Sequence, residues 1–485
     1  MQPIHKPALL LLALTLVFNF KILVMKFIIK NTFFLLLMLT GIFSCQKLDV
    51  SSPNDVPANE VFKNGDGLRS AVIGMYATMQ VREYYGAYYP LMADLNSDAL
   101  TQGGYDVVAL NEIGQHAITS TNLYAERMYV AMYKTIATAN AILQSIDVIT
   151  DANLADDEKK TIKAQALAIR AMAHFDLLRM FGYHWDLSSP FGIPVILKVQ
   201  QAKDIVPRSS VADTYVAIIK DLNDADGLIS ASFIDPKYAN AVFIKALLAR
   251  VYLYKKDMVK AADLATQVIN TGAFNLLDAA SFSTIYSARL SKESIFELSF
   301  DAQNQSFYNA TTYVRPEALR TEVFFLASQS LNMFFQARVD DKRSDLVDFV
   351  NNDAGISPDG RTLKYRGEVT KDNPAYIMRI AEMYLIAAEA KAKSGGGLAY
   401  LNQLRTNRGM KNLQSSDVPD EASFLQAVMD ERLSELNFEG HRYFDLARYQ
   451  KIQEVLGVSN QNAVFPIPQR ELIATKQQVK QNPGF

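Results

Sequence analysis

Apolar residues recur at intervals of three and four over much of the chain after residue 61, which is the period of a helix with one buried face. The pattern predicts a mainly helical fold. Nine segments carry it most strongly: 68–79, 124–146, 157–180, 211–228, 241–255, 259–270, 377–393, 398–407 and 422–437. Most of these segments are rich in Ala, Leu and Tyr, so the predicted helices pack closely against one another.

One predicted helix pair has the pattern of a tetratricopeptide-like repeat. Ala249, Tyr252, Ala261 and Val268 fall at the offsets that such repeats use, on either side of the short turn 255–257. Small residues let two antiparallel helices approach, while larger ones fill the groove between pairs. Two further candidate pairs are 384–393 with 398–405 and 124–146 with 157–180. One pair alone is compatible with any helix hairpin, but three pairs favour a helical-repeat scaffold.

Three stretches between the helical segments lack this period, namely 92–116, 182–206 and 275–370. They contain Gly, Pro, Asn, Asp and many aromatic residues, which is typical of long loops, and the alternation over 294–300 predicts a strand. Long loops inside a compact domain are usually functional. We therefore predict a single domain over residues 61–485, in which an irregular lobe of about residues 275–370 is attached to the helical scaffold.

The first 44 residues have the parts of a secretory signal peptide. Their two apolar stretches, 9–20 and 33–39, are each shorter than the ~20 residues that cross a bilayer. Read from Met25, a basic start and an apolar run lead to Ile42-Phe43-Ser44-Cys45, which resembles a bacterial lipobox. We therefore expect residues 1–44 to be the signal peptide region, with Met25 as the suspected true start of translation. We expect Cys45 to be lipidated and residues 45–60 to form a polar tether. The alternative is an ordinary cysteine after a plain signal peptide or membrane anchor.

The composition is that of a globular protein and excludes several classes of function. Lys and Arg number 49 against 51 Asp and Glu, so no basic surface for nucleic acid is indicated. The single cysteine excludes an intramolecular disulfide and a cysteine-based zinc site. The five histidines include no pair at metal-ligand spacing, and no phosphate-binding glycine loop or nucleophile elbow is present. The sequence therefore predicts neither a metal nor a cofactor.

Motifs along nearly the whole chain resemble those of the SusD/RagB family. The C-terminal motifs are 373–390, 401–405, 408–409, 431–448, 465–468 and the ending 481–485. The N-terminal ones are 170–182, 192–194 and 208–215. Their order and spacing agree together, which is more specific than any single match.

This resemblance implies a fold, a location and a partner. The fold is mainly α, with tetratricopeptide-like helix pairs and a loop-rich ligand lobe that contains short strands. The location is the outer membrane, with a lipid anchor and exposure at the cell surface. The partner is a SusC-like TonB-dependent transporter, over which the protein closes as a lid and to which it delivers an oligosaccharide or peptide. The resemblance implies no enzymatic activity.

The charged residues of 431–448 allow a second interpretation. Their carboxylates could form the acid–base pair of a surface glycoside hydrolase. The acidic residues concerned are Glu431, Glu435, Glu439 and Asp445. Their three- and four-residue spacing favours instead ion pairs within the helical scaffold, with Arg379 and other basic residues as partners. A tetratricopeptide-type adaptor without a small ligand is the third alternative.

Aromatic residues of the irregular segments are the candidate ligand contacts. Aromatic faces pack on the apolar faces of pyranose rings, while amides and carboxylates bind sugar hydroxyls. We predict a ligand surface from the following residues: Tyr88, Tyr89, Asn96, Tyr105, Trp185, Tyr308 and Tyr313.

Overall fold

The structure is a computed structural model. It describes residues 18, 21, 24–26, 61–103, 107–201, 203–301, 303–308, 325–348, 360–365 and 372–485. Cys45, the polar tether, Tyr105 and Tyr313 lie outside these residues. Asn59–Phe485 form one compact unit. Within the described part of the chain, no helix combines the length and the apolar character needed to span a bilayer.

Helices make up most of the described structure, as predicted. In chain order they are α1 (Gly65–Gln80), α2 (Tyr88–Leu95), α3 (Val108–Gly114), α4 (Leu123–Ser145), α5 (Asp156–Phe181), α6 (Val211–Leu228), α7 (Ala241–Tyr254), α8 (Met258–Asn270), α9 (Thr284–Ser287), α10 (Gln329–Gln336), α11 (Ile380–Ala390), α12 (Gly397–Asn407), α13 (Glu421–Leu436), α14 (Arg442–Arg448), α15 (Ile452–Leu456) and α16 (Gln469–Ala474). Short 3₁₀ helices occur at Lys342–Leu346 and Asn460–Asn462.

Polar side chains fix the start of several scaffold helices. Asn122 accepts hydrogen bonds from two backbone N–H groups of α4, and Ser210, Asn240 and Asp257 each accept one at the start of α6, α7 and α8. The first N–H groups of a helix have no partner inside it, so each cap stabilises the helix by about 1 kcal/mol. Local sequence therefore determines where these helices begin.

The scaffold helices pack in succession, which builds the main core. The pairs α4 with α5, α5 with α6, α7 with α8, and α11 with α12 are in contact, and α8 also packs on α11. Ala249 and Ala261 are fully buried, as the tetratricopeptide-like pattern predicts. A second, smaller core lies among α11, α12 and α13 around Leu385 and Phe424.

Three two-stranded antiparallel sheets accompany the helices. They pair β1 (Leu100–Gln102) with β3 (Phe325–Ala327), β2 (Ser294–Leu298) with β6 (Ala375–Arg379), and β4 (Val347–Asp348) with β5 (Arg361–Thr362). The strand predicted within 294–300 is confirmed. In the second sheet Ser294 lies opposite Arg379 and Leu298 lies opposite Ala375. This pairing attaches the irregular lobe to the start of α11.

Two segments differ from the prediction. The helix expected over 377–393 begins only at Ile380, because the residues before it pair with β2 as a fully buried strand. The stretch 92–116, expected to be a loop, contains the end of α2, strand β1 and helix α3. α2 is buried along its whole length, so packing stabilises a helix that the local composition does not indicate.

Candidate functional site

The structure places two of the predicted ligand residues, Tyr88 and Tyr89, in the core. Tyr89 is 2% exposed, and its hydroxyl donates to Oδ1 of Asp176 at 3.0 Å. The hydroxyls of Tyr84 and Tyr85 donate to Oδ2 of the same carboxylate at 2.6 and 2.8 Å. The ring of Tyr88 packs edge-on against Tyr124. Contact of Tyr88 or Tyr89 with a ligand would therefore require this packing to open.

Asn96 and Tyr308 are buried as well. Oδ1 of Asn96 lies 2.9 Å from Nδ1 of His116. The ring of Tyr308 stacks on Tyr365 with a centroid separation of 4.2 Å, and its hydroxyl donates to the carbonyl oxygen of Tyr85 at 3.0 Å. The structure does not bring these residues together with Trp185 on one surface. Ligand contact by Tyr105 and Tyr313, which lie outside the described residues, stays a prediction.

Trp185 is different, because it is only half-buried and lines a surface pocket of about 380 Å³. Its indole packs edge-on against the ring of Tyr183, with centroids 5.5 Å apart and an interplanar angle of 84°. The pocket residues are aromatic, proline, hydroxyl, amide and carboxylate side chains. They are Tyr183, Trp185, Asp186, Ser188, Ser189, Pro190, Phe191, Asn460, Gln461 and Pro483. We call this site the Trp185 pocket.

The loop that carries Trp185 is formed by local contacts after α5. A Cβ atom at Gly182 would lie 2.8 Å from Cδ1 of Leu178 and 3.1 Å from its carbonyl oxygen, so the chain turns closely against the helix end there. Oδ1 of Asp186 accepts hydrogen bonds from the backbone N–H of Ser188 at 3.0 Å and from its hydroxyl at 2.6 Å. Such Asx turns are a common way to fix a short polar loop.

The opposite wall of the pocket comes from the C-terminal part of the chain. The hydroxyl of Tyr183 donates to the carbonyl oxygen of Gln461 at 2.7 Å and lies 3.0 Å from that of Pro483. Burial raises the pKa of Tyr183 to about 12, so this donor keeps its proton at neutral pH. Nδ2 of Asn482 donates to the carbonyl oxygens of Phe181 and Phe465 at 3.0 and 2.8 Å. These contacts position both walls.

The Trp185 pocket has the side chains that sugar recognition uses. The indole of Trp185 and the ring of Phe191 offer apolar faces, and the exposed amides of Asn460 and Gln461 offer donors and acceptors for hydroxyl groups. Asp186 is the one carboxylate among the lining residues, so this pocket lacks the carboxylate pair of a glycosidase. The contribution of Asn460, Gln461 and Pro483 was missed by sequence reasoning. The sequence signal for this wall was the motif 481–485. The resemblance to the family identified that motif only as a typical C-terminus and did not indicate a ligand contact.

A larger cavity of about 1130 Å³ lies where α7, α11 and α14 end. Its lining contains four carboxylates and one aromatic residue, Tyr449. It also contains the lysines Lys255, Lys256, Lys391 and Lys393. Mixed charges around helix ends are typical of solvated protein surface, since cations are favoured at helix C-termini. Its chemistry suits a sugar less well than that of the Trp185 pocket.

The charged constellation of 431–448 lies in the interior. Glu435 accepts hydrogen bonds from Arg379 and Arg408, each at 2.8 Å, and from Arg343 at 3.1 Å. Burial alone would raise the pKa of Glu435, but Arg408 and Arg379 outweigh it and the pKa lies well below the ordinary value. Glu431 is likewise held by Arg343. These pairings support the scaffold interpretation of the motif.

No group of three or more His, Cys, Asp and Glu residues suited to hold a metal ion occurs in the described ranges. His184, next to Trp185, is fully buried, and burial together with Arg179 places the pKa of its imidazole well below the ordinary value. It is therefore neutral at physiological pH.

Comparison with known proteins identifies the class to which this helical scaffold with its irregular lobe belongs. Residues 47–253 match a SusD-like family model described as starch-binding, associating with outer membrane, and residues 355–464 match the model of the SusD family. The chain belongs to the SusD family. The prediction of a SusD/RagB protein with a mainly helical fold is confirmed.

Individual relatives agree over almost the whole chain. SusD-like protein P2 of Formosa agariphila is 26% identical over an alignment that spans 93% of this chain and 99% of that protein. A crystal structure of a SusD superfamily protein from Bacteroides vulgatus is 27% identical, with a TM-score of 0.75 over 86% of this chain and 98% of that one. A laminarin-binding SusD-like protein shares the fold, with 23% identity and a TM-score of 0.74 over 87% of this chain and 100% of that one.

Proposed function

We propose that this protein binds an oligosaccharide at the outer membrane, to which Cys45 anchors it. It then passes the ligand to a SusC-like TonB-dependent transporter, over which it closes as a lid. Its role is capture and delivery, without catalysis. The family model's description and the laminarin binding of a protein with this fold support carbohydrate as the ligand class.

The observation that carries the proposal is the composition of the Trp185 pocket. A half-exposed indole held edge-on by Tyr183 presents a fixed apolar face, and the amides of Asn460 and Gln461 lie around the same cavity. An aromatic face with hydroxyl-binding groups around it is complementary to a pyranose ring. Hydrogen bonds to the backbone join the two walls, so the backbone around the cavity is already ordered before a ligand binds.

The membrane anchor and the transporter are supported by the sequence and by the family. The segment before Cys45 has the order of a lipoprotein signal peptide. Changing Cys45→Ala should release the protein from membranes, and affinity purification of the wild-type chain from its own cells should recover a barrel transporter. Recovery of soluble protein partners without a transporter would favour the adaptor alternative instead.

Calorimetric titration tests the binding function. The full chain, purified in detergent, is titrated with maltohexaose, laminarihexaose, other neutral glycans and peptides, and each mixture is then analysed for products. We expect saturable binding of a glycan that stays intact. Trp185→Ala should weaken that binding roughly fivefold or more, since loss of an aromatic contact typically costs about 1 kcal/mol or more.

Tyr238→Ala provides the matched control. Tyr238 is 37% exposed and packs edge-on against Tyr76 at 5.5 Å, as Trp185 does against Tyr183, but it does not line the pocket. Its replacement should leave affinity unchanged. Cleavage of a glycan would contradict the binding role and favour a hydrolase. Binding that survives Trp185→Ala would move the site to other parts of the chain, among them the segments that contain Tyr105 and Tyr313.

A further inference from the structure

We propose that the Trp185 pocket selects neutral glycans and rejects those that carry carboxylate or sulfate groups. This inference rests on the proposed function, because it names the substrate class of the same site. Its basis is the sign of the charge in the pocket lining, which is negative only. Asp186 is the charged residue in the lining, and neither lysine nor arginine lines the cavity.

The carboxylate of Asp186 has acceptor capacity left for a ligand. Its Oδ1 atom receives both hydrogen bonds from Ser188, and Oδ2 has no hydrogen-bond partner among the described residues. A carboxylate accepts hydrogen bonds and donates none, so Oδ2 suits a sugar hydroxyl and repels another anion.

A cation that contacts the pocket wall makes its hydrogen bonds outside the cavity. The guanidinium of Arg208 lies 5.3 Å from the ring centroid of Phe191. Its N–H groups donate to the backbone carbonyl oxygens of Gly192 at 2.7 Å and Lys480 at 2.9 Å, and at 3.2 Å to that of Phe181. Arg208 therefore connects the loop of Trp185 to the C-terminal segment, and it is not among the residues that line the cavity.

An anionic sugar in this pocket would lose hydration without gaining a positive partner. Sites that recognise carboxylate or sulfate use arginine or lysine at hydrogen-bonding distance, and a buried charge without such a partner is unfavourable. Here the sugar anion would lie in the same small cavity as Asp186. At low ionic strength we expect discrimination of roughly tenfold or more against it, decreasing as salt screens the exposed part of the repulsion.

The test uses matched pairs of probes. Maltohexaose and laminarihexaose are each compared with the same oligosaccharide oxidised at C6 to carboxylates, by titration of the full chain at low and high salt. The proposal predicts that whichever neutral probe binds does so at least tenfold more tightly than its oxidised form. It also predicts that Asp186→Asn reduces the ratio between the affinities for the neutral and the oxidised form several-fold, because the repulsion of the sugar carboxylate is removed.

Asp186→Asn preserves the turn, because the amide oxygen of asparagine can accept the same two hydrogen bonds. Asp235→Asn is the matched control. Asp235 is exposed, accepts from the backbone N–H of Lys237 at 2.9 Å in the same kind of turn, and does not line the pocket. Removal of this charge should change neither affinity.

The outcomes separate the two proposals. An oxidised probe that binds as tightly as the neutral one or more tightly would overturn the selectivity. If Trp185→Ala abolishes that binding, the assignment of this pocket as a glycan site is still supported. An Asp186→Asn variant that discriminates as strongly as the wild type would also overturn it. Binding of none of the four probes would overturn both the selectivity and the assignment of this pocket as a glycan site.

Discussion

Lys364 donates a hydrogen bond from Nζ to Oε1 of Glu439 at 2.8 Å, and their side chains are only 1% and 3% exposed. The same ammonium donates to the carbonyl oxygens of Glu435 and Asn437 at 2.9 and 2.8 Å. Lys364 follows β5 in the irregular lobe, whereas its partners lie at the end of α13 and after it. A buried cation therefore attaches the lobe to the scaffold.

Replacing this cation should be costly. We expect Lys364→Met to lower the free energy of unfolding by roughly 3–5 kcal/mol, because two buried carbonyl groups and part of a buried carboxylate lose their donor. Urea unfolding measures the change. Lys451→Met is the control, since Lys451 pairs with Glu454 at 2.9 Å on the surface and such pairs contribute less than about 1 kcal/mol. Similar losses in the two variants would contradict this account.

Tyr89 should act through stability alone. Tyr89→Phe removes one of the hydrogen bonds to the fully buried carboxylate of Asp176, so we expect a loss of roughly 1–3 kcal/mol in unfolding free energy. Glycan affinity should stay unchanged. Tyr254→Phe is the control, because Tyr254 is buried while its hydroxyl has no hydrogen-bond partner among the described residues. Weaker glycan binding by Tyr89→Phe at intact stability would restore Tyr89 as a ligand contact.

Stability should fall steeply in acid. Despite the opposing effect of burial, Arg343 lowers the pKa of Asp341 to about 2, and Arg432 with Arg448 does the same for Asp445. A carboxyl with a depressed folded pKa stabilises the protein above its unfolded pKa of 3.8 and loses that contribution as pH falls toward 2. Each group should account for about 2 kcal/mol.

Urea unfolding at several pH values between about 5 and 2.5 checks this expectation. Asp445→Asn should show a flatter dependence than the wild type, because the group that titrates in this window is gone. Asp235→Asn, in an exposed turn, should keep the wild-type slope. A variant at Asp445 whose slope equals that of the wild type would show that the depressed pKa is not the cause.

Replacement by alanine should destabilise the protein far more at Gly440 than at Gly395, although both glycines have a positive φ angle. Gly440 has a φ of +79°, and a Cβ atom there would lie 2.5 Å from Cα of Pro90. Gly395 has a φ of +70°, but a Cβ atom added there would meet no other heavy atom within 4 Å. We expect Gly395→Ala to cost about 1 kcal/mol and Gly440→Ala about 1–3 kcal/mol more, measured by chemical denaturation. Equal losses of unfolding free energy in the two variants would mean that α2, which contains Pro90, shifts to make room for the added Cβ atom.

The sequence predicts those elements whose pattern is local. Helices α7 and α8 lie within one residue of the expected bounds, because their apolar period, cap residues and turn are all contained in the single stretch 240–270. The strand 375–379 was missed because its apolar residues continue the pattern of α11. Only its pairing with β2, which lies far earlier in the chain, makes it a strand.

The candidate site was predicted in part for the same reason. Trp185 stands out as the single tryptophan in a polar loop, and the structure places it at a pocket. The aromatic run around Tyr88 and Tyr89 has equally suitable composition. Its burial depends on Asp176, which lies 87 residues from Tyr89 in the chain, and no local pattern contains that partner.

The two walls of the Trp185 pocket are joined by hydrogen bonds between residues separated by 278 and 300 positions in the chain. A molecule whose final segment has not docked therefore lacks Gln461 and Pro483 at the cavity and has no complete place for a ligand. A glycan column would then retain only chains whose C-terminal segment has docked. Chains that have formed their helices but not this last contact would pass through. By mass action the captured sugar would in turn hold the last part of the chain in place.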